Sequence, residues 1–166
     1  MTPTWAELLV DREPLARYYG APPPLNGVVL RSVRLERDGP TLLLRLDLPA
    51  FPDRPEPEWS AAGCDRFQCQ LRCLDVAEVR FSGWPLGRPV DLGVEPVGPP
   101  AERRIAVTGR QDGVEALRFS CNASLAVGHL LAYREGGPHL YVGAVDRHRL
   151  GTRLPDPTDG TFYGRL

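Results

Sequence analysis

The hydrophobic period of the chain changes once, from helical spacing to the alternation of β-strands. Residues 4–19 carry apolar side chains at helical spacing, and Thr4 followed by Glu7 fits a capping box, which marks the start of a helix. We expect Pro14 to break this segment in two, because proline lacks the N–H group that the interior of a helix needs. Over residues 26–145 apolar and polar positions alternate in short runs, which indicates strands with one buried face.

The β region divides into about eight candidate strands joined by turns. The clearest one has leucine at every second position of 42–48 on one face, and it follows Asp38-Gly39. This dipeptide favours a two-residue hairpin turn, because both central residues of such a turn need positive φ. The other candidate strands are 28–37, 67–73, 90–94, 105–107, 117–121, 125–133 and 140–144. The first of these contains a bulge, and Val79 and Phe81 continue the second. A turn-rich connector at 96–100 follows the third.

This order of elements predicts an α+β domain that is mostly β, with an antiparallel sheet and an N-terminal helical segment. A curved sheet, a sandwich and a partly open barrel all fit the pattern. We expect one domain over residues 1–166, which ends in a turn-rich tail at 151–166.

Residues 49–63 interrupt the strands with four prolines, and we expect an extended loop there. The loop carries charged and aromatic side chains on a stiff backbone, a combination that suits a protein interface. The candidate partner-binding residues are Arg54, Glu56, Glu58 and Trp59. The alternative is that Phe51 and Trp59 fold back to cover one end of the sheet, because aromatic side chains of this size usually bury.

Composition and charge exclude several classes of protein. The formal net charge is −1, from 20 basic and 21 acidic residues, which argues against a nucleic-acid-binding surface. All the basic residues are arginine, so no Schiff-base or phosphate-loop lysine is available. No apolar run approaches the roughly 18 residues that cross a bilayer, and acidic residues interrupt the apolar start. We therefore expect a cytoplasmic protein that binds neither nucleic acid nor a membrane.

The cysteines and histidines do not form a metal-binding pattern. The four cysteines are Cys64, Cys69, Cys73 and Cys121. Cys69 and Cys73 share an apolar strand face about 13 Å apart at ~3.3 Å per residue, whereas the Cα atoms of a disulfide lie within ~7 Å. We expect buried structural thiols rather than a zinc site. His129, His139 and His148 form no pair at metal-binding spacing.

Motifs of catalysis are also missing from the sequence. It contains neither a nucleophile elbow nor a phosphate-binding loop, and a trio such as Ser124, Asp146 and His148 arises in any chain of this length. We therefore expect no cofactor, no metal and no catalytic activity.

Aromatic residues, prolines, leucines and turn residues occur in a characteristic order along residues 4–134. It runs through Trp5-x-x-Leu8-Leu9, Tyr19, Pro23-Pro24-Leu25, the Asp38-Gly39 hairpin, Leu48-Pro49-x-Phe51-Pro52, Trp59, an F-x-C-x-L strand and Gly83-Trp84. This pattern resembles the immunity protein 50 family of bacterial polymorphic toxin systems. The signature positions are Pro49, Phe51, Pro52, Trp59 and Trp84.

The resemblance implies a mostly β, non-enzymatic immunity protein whose partner is a cognate protein toxin. The net charge of −1 gives no acidic steering toward a basic nuclease, so it does not favour that toxin class. If the loop at 49–63 is not the contact surface, the next candidate is the outward sheet face with Gln68, Gln70 and Arg72. The alternative function is a small-ligand-binding β-barrel or sandwich module, and an enzyme is the reading with least support.

Overall fold

Nine antiparallel strands form one open sheet in the computed structural model, which describes residues 2–37 and 39–153. The strands are β1 (Val28–Glu36), β2 (Thr41–Asp47), β3 (Arg66–Cys73), β4 (Ala77–Phe81), β5 (Pro89–Val97), β6 (Arg104–Gln111), β7 (Val114–Asn122), β8 (Ala126–Tyr133) and β9 (Leu140–Tyr141). Their order across the sheet is β4-β7-β6-β5-β1-β2-β3-β8-β9. The predicted mostly β, α+β class is confirmed, with nine strands where the sequence indicated about eight.

The predicted helical segment consists of two short helices. The first is a 3₁₀ helix, Trp5–Leu8, whose start is the predicted capping box: the Glu7 carboxylate accepts from the Thr4 N–H at 2.7 Å, and the Thr4 hydroxyl accepts from the Glu7 N–H. The second is α1 (Glu13–Ala16), with Pro14 in its first turn. A proline fits there because that N–H has no partner within the helix. Pro14 therefore separates the two pieces by starting the second.

The sheet bends back on itself, so that its two halves enclose one core. β5 pairs with β1 only through its first two residues. Cys73 in β3 interacts with Cys121 in β7, although four strands lie between β3 and β7 in the sheet. The N–H of Asn122 also donates to the carbonyl of Leu74 at 2.9 Å. Buried side chains from both halves consequently form a single hydrophobic cluster.

Both faces of β2 are covered, which explains its nearly continuous leucine sequence. The leucines on the inner face, in the main core, are Leu42, Leu44, Leu46 and Leu48. On the outer face Leu43 packs with Leu131, Tyr133 and Tyr141 in a second, smaller cluster. The predicted alternation is confirmed, and the outer face is more buried than a solvated sheet face.

Two predictions about strands are wrong in the β4–β5 region. Val79 and Phe81 do not continue β3; they belong to β4, which pairs with β7 in the other half of the sheet. Pro96 lies within β5 opposite Ile105, not in a connector. Among the described residues β5 has no second neighbour at that point, so the missing N–H of Pro96 removes no ladder hydrogen bond.

The strand predicted at 140–144 is present but shorter, and a helix follows it. β9 has only two residues, and α3 (Ala144–Leu150) follows it. Within residues 2–37 and 39–153 no helix has the length and apolar character that spanning a membrane requires. The predicted tail at 151–166 lies, from residue 154 onward, outside the described residues.

The β6–β7 hairpin contains the two-residue turn that the sequence predicted for the first hairpin. Asp112 and Gly113 have φ values of +52° and +79°. They connect Gln111 and Val114, which are paired in the ladder. An Asp-Gly dipeptide therefore forms the expected tight turn here, because both central residues adopt positive φ.

The β1–β2 hairpin is confirmed, but its connection is longer. Ladder pairing ends at Glu36 and Thr41, which leaves four residues between the strands. Asp38 lies outside the described residues, and Gly39 has a φ of +140°. Pro40 explains the difference, because it has no N–H to close a two-residue turn.

Gly39→Ala is expected to lower the free energy of unfolding by about 1 kcal/mol, because a residue with a Cβ atom is strained at the φ of +140°. Gly20→Ala is the matched control, since Gly20 does not have a positive φ and an added Cβ there would meet no atom closer than 3.6 Å. Urea titrations of both variants check the prediction. Equal midpoints for Gly39→Ala and the wild type would contradict it.

Candidate functional site

Residues 49–63 contain a short helix, α2 (Pro57–Ala61), where the sequence predicted only extended loop. A proline starts α2, a position that suits its fixed φ. Trp59 is fully buried, and its ring centroid lies 4.9 Å from that of Tyr18 and 5.7 Å from that of Phe67. Trp59 is therefore a core residue, as the core-cap alternative expects, and it offers no surface to a partner.

Arg54 fastens the same loop to the N-terminal segment. One nitrogen of its guanidinium group, Nη2, donates to the carbonyl oxygens of Ala16 at 2.6 Å and of Tyr19 at 2.9 Å. Carbonyl groups at the end of a helix lack partners within the helix, and a cation there is favourable. The Asp53 carboxylate adds a bond from the Gly20 N–H at 2.9 Å. Arg54 thus has a structural role even though it is exposed.

The two glutamates of the loop border a surface groove of about 460 Å³. Glu56 accepts a hydrogen bond from the Tyr18 hydroxyl at 3.1 Å, and Glu58 is exposed. Burial, followed by this bond to Glu56, raises the pKa of Tyr18. The other charged residues that line the groove are Arg17 and Arg147. Both signs of charge meet here, as in the polar rim of a protein interface.

The five signature positions fall into two places. Within the loop Pro49 is exposed, Pro52 is buried and Phe51 packs edge-on against Trp59, with ring centroids 6.5 Å apart. Trp84 lies elsewhere, in the connection between β4 and β5, and its side chain is 74% exposed. The fold therefore gathers four of the signature residues at one end of the sheet and leaves Trp84 on a different surface.

A buried carboxylate that no sequence motif indicated organises the outer face of the sheet. Asp47 is only 4% exposed. Its carboxylate accepts from Arg31 Nε at 2.9 Å, Gln68 Nε2 at 2.9 Å and the Tyr133 hydroxyl at 2.7 Å. Burial, and then the bond to Asp47, raises the pKa of Tyr133. The one available signal was the acidic residue at the end of a leucine-rich strand.

The outward face proposed as the second contact surface is largely covered. Gln68 and Gln70 are 2% and 1% exposed, and Arg72 is half-buried. Gln68 donates to Asp47, while the side-chain amide of Gln70 has no hydrogen-bond partner within the part of the chain that the structure describes. The two glutamines therefore do not face solvent, although they point away from the main core.

Asp146 pairs with His129, and not with His148 as in the trio considered from the sequence. The Nδ1 atom of His129 lies 3.0 Å from both carboxylate oxygens of Asp146. His129 has a φ of +49°, at a bulge in the pairing of β8 with β3. The pair fastens α3 to the sheet, and His148 is exposed on the same helix.

The cysteines are free thiols, and three of the four are buried. Burial raises the pKa of Cys69 to about 12, and contact with Cys121, together with burial, raises the pKa of Cys73. Thiols with a raised pKa are poor nucleophiles, because the thiolate is the reactive form. No group of His, Cys, Asp and Glu side chains able to hold a metal ion occurs in residues 2–37 and 39–153.

These contacts define a mostly β protein whose buried polar groups fasten its elements to one another. The family model of Immunity protein 50 matches residues 11–91, a stretch that runs from just before α1 to the start of β5. This match confirms the resemblance predicted from the sequence: over residues 11–91 the chain is similar to the Immunity protein 50 family. No curated protein and no solved structure matches the chain.

Proposed function

We propose that this protein is an immunity protein that binds and neutralises a cognate toxin domain of a bacterial polymorphic toxin system. The observation that carries the proposal is the match of residues 11–91 to the Immunity protein 50 family. The producing cell needs protection where it makes the toxin, so we place the protein in the bacterial cytoplasm. Its four free cysteines are in keeping with a reducing compartment.

We propose that neutralisation occurs by binding alone, without catalysis or a cofactor. Cys69 and Cys73 are buried thiols with raised pKa values, and the His129 ring is held by Asp146. These groups serve the fold, and a rigid scaffold is what a binding surface needs. The small-ligand alternative lacks structural support, because the sheet is open and buried side chains fill its inner face.

The loop at 49–63 is one proposed contact surface. Trp59 and Arg54 anchor it from below, which keeps its exposed residues in place. Glu58, on the outer side of α2, is the exposed candidate, and Glu56 lies beside it on the groove. Loops held on a rigid scaffold are where recognition residues concentrate.

A titration of toxin activity tests the proposal. The toxin domain encoded next to this protein should lose its activity in proportion to added protein, and inhibition should be complete at equal molar amounts. Glu58→Arg should weaken the complex about tenfold, which is ~1.4 kcal/mol. Glu95→Arg is the matched control, since Glu95 is an exposed glutamate on β5.

Two outcomes would contradict these statements separately. Complete inhibition at a small fraction of the toxin concentration would indicate an enzyme instead of a binder. Full affinity in Glu58→Arg would remove the loop from the contact surface while the immunity function remained.

A further inference from the structure

Two buried thiols meet where the bend of the sheet brings its two halves together. Cys73 is the last residue of β3 and Cys121 lies near the end of β7, and both are 0% exposed. The Cys73 thiol forms a hydrogen bond with the Cys121 sulfur. Because four strands separate β3 from β7 in the sheet order, this contact is a product of the bend and not of a strand ladder.

The backbones beside the two thiols are at the spacing of paired strands. The N–H of Asn122 donates to the carbonyl of Leu74 at 2.9 Å, and each of these residues directly follows one of the two cysteines. Strands joined by such bonds lie about 4.8 Å apart, whereas the Cα atoms of a disulfide lie within ~7 Å of each other. Both cysteine side chains also belong to the main hydrophobic cluster, so they point to the same side. The two sulfur atoms are therefore placed for a covalent bond.

The surroundings of the two thiols favour the thiolate form of Cys121. The hydrogen bond from Cys73 lowers the pKa of Cys121; the Arg104 guanidinium acts in the same direction, whereas burial and the Asp75 carboxylate act against it. The same hydrogen bond, followed by burial, raises the pKa of Cys73. Arg104 is held beside Cys121 by its bonds to Asp75 at 2.6 Å and to the Ser120 hydroxyl at 3.1 Å. Cys121 is consequently the first nucleophile of the pair, since the thiolate is the reactive form.

We propose that Cys73 and Cys121 are a redox-responsive pair, which hydrogen peroxide converts into an intramolecular disulfide that locks the two halves of the sheet together. The Cys121 thiolate attacks one peroxide oxygen and the O–O bond breaks, which leaves a sulfenic acid on Cys121. The departing hydroxide takes up the proton that Cys121 has lost and leaves as water. The Cys73 sulfur then attacks the Cys121 sulfur, the S–O bond breaks, and the hydroxide leaves with the Cys73 proton as a second water. Two thiols are thus oxidised by two electrons while one peroxide is reduced to two waters.

Local opening of the two strand ends admits the oxidant. The Asp75 side chain, two residues after Cys73 and paired with Arg104, is 68% exposed, so the cysteines lie close to solvent although they are buried. Hydrogen peroxide is small, and strand ends open at a lower free energy than the middle of a core. In a reducing compartment the pair stays as two free thiols, and disulfides that do form there are typically transient and redox-sensing.

The other two cysteines are placed differently and serve as internal controls. Cys69 lies on the same strand as Cys73 but four residues earlier, about 13 Å away at ~3.3 Å per residue. Cys64 is half-buried before β3, and burial raises its pKa. A disulfide that follows from the folded geometry therefore joins Cys73 to Cys121 and leaves Cys64 and Cys69 out.

Treatment of the purified, folded protein with hydrogen peroxide tests this proposal. Peptide mapping should identify a disulfide between Cys73 and Cys121, and the protein should remain monomeric. The melting temperature should rise by at least about 5 °C and return when dithiothreitol is added, because a cross-link that closes a loop of about 50 residues restricts the unfolded chain. Cys64→Ser and Cys69→Ser are the matched controls and should still form the disulfide. Cys121→Ala should form none, and its melting temperature should not rise with peroxide.

Several outcomes overturn the redox pair. One is that Cys73 and Cys121 remain free thiols after treatment, and another is a disulfide that includes Cys64 or Cys69. A Cys73–Cys121 bond that forms only in urea overturns it as well, because the folded geometry then does not join the two thiols. A disulfide that lowers the melting temperature would strain the sheet instead of locking it. The mapping uses the wild-type protein, so the test does not depend on the folding of a variant, and it needs no toxin, so its result leaves the proposed function untouched.

Discussion

Trp59→Ala is expected to lower the free energy of unfolding by about 3–5 kcal/mol, the cost of removing a fully buried indole ring from a packed core. The ring contacts Tyr18, Phe67 and Phe51, so its loss opens a cavity between α1, α2 and β3. Urea denaturation checks the value. The variant should also show that α2 and the loop at 49–63 depend on this one anchor.

Trp59→Phe and Glu58→Ala are the controls for that measurement. Trp59→Phe should cost clearly less, because a ring remains and the buried Nε1 of Trp59 has no hydrogen-bond partner among residues 2–37 and 39–153 to lose. Glu58→Ala, one residue away but exposed, should change stability by no more than about 0.5 kcal/mol. A small loss of stability in Trp59→Ala combined with a large loss of toxin binding would return Trp59 to the contact surface.

Asp47→Ala is expected to destabilise the protein by about 3 kcal/mol, because several buried or half-buried donors lose their common acceptor. The Arg31 guanidinium group is 2.7 Å from the carboxylate, and Gln68 and Tyr133 donate to it as well. The side chain of Arg31 is 22% exposed and recovers part of its hydration, which limits the loss. Urea denaturation at pH 7 measures it.

Conservative and remote substitutions separate the network from a general effect of charge. Asp47→Asn keeps one oxygen acceptor and should cost less than Asp47→Ala. Glu115→Ala removes a 3.3 Å ion pair with Arg118 on β7, away from Asp47, but the Glu115 side chain is 37% exposed and should contribute less than about 1 kcal/mol. Tyr133→Phe combined with Asp47→Ala should cost less than the sum of the two, since the residues share one hydrogen bond. Strict additivity would contradict the network.

The fold class and most strands were predictable because they follow from local periodicity. Alternating leucines placed β2, and the capping box placed the first helix. Local sequence did not predict the hairpin connections, because the same Asp-Gly dipeptide occurs in two different connections. Asp-Gly forms a two-residue turn at 112–113 but has a longer connection at 38–39, since Pro40 withholds the closing N–H.

The candidate site was predictable in position but not in orientation. A proline-rich segment with aromatic and charged residues marked the loop at 49–63. Composition does not tell whether Trp59 turns inward or Arg54 reaches the carbonyls of the N-terminal segment. These contacts join residues about 38 positions apart, and the path of the intervening strands decides them.

The sequence by itself determined the alternating strands, the helical start, the absence of lysine chemistry and the resemblance to an immunity family. Only the tertiary structure decided that Val79 and Phe81 leave β3 for the far edge of the sheet, and that Asp47 is buried beneath three donors. The physical reason is that periodicity reports which side of an element is apolar, whereas its neighbour depends on how distant segments meet. The bend that brings β3 against β7 created the single core.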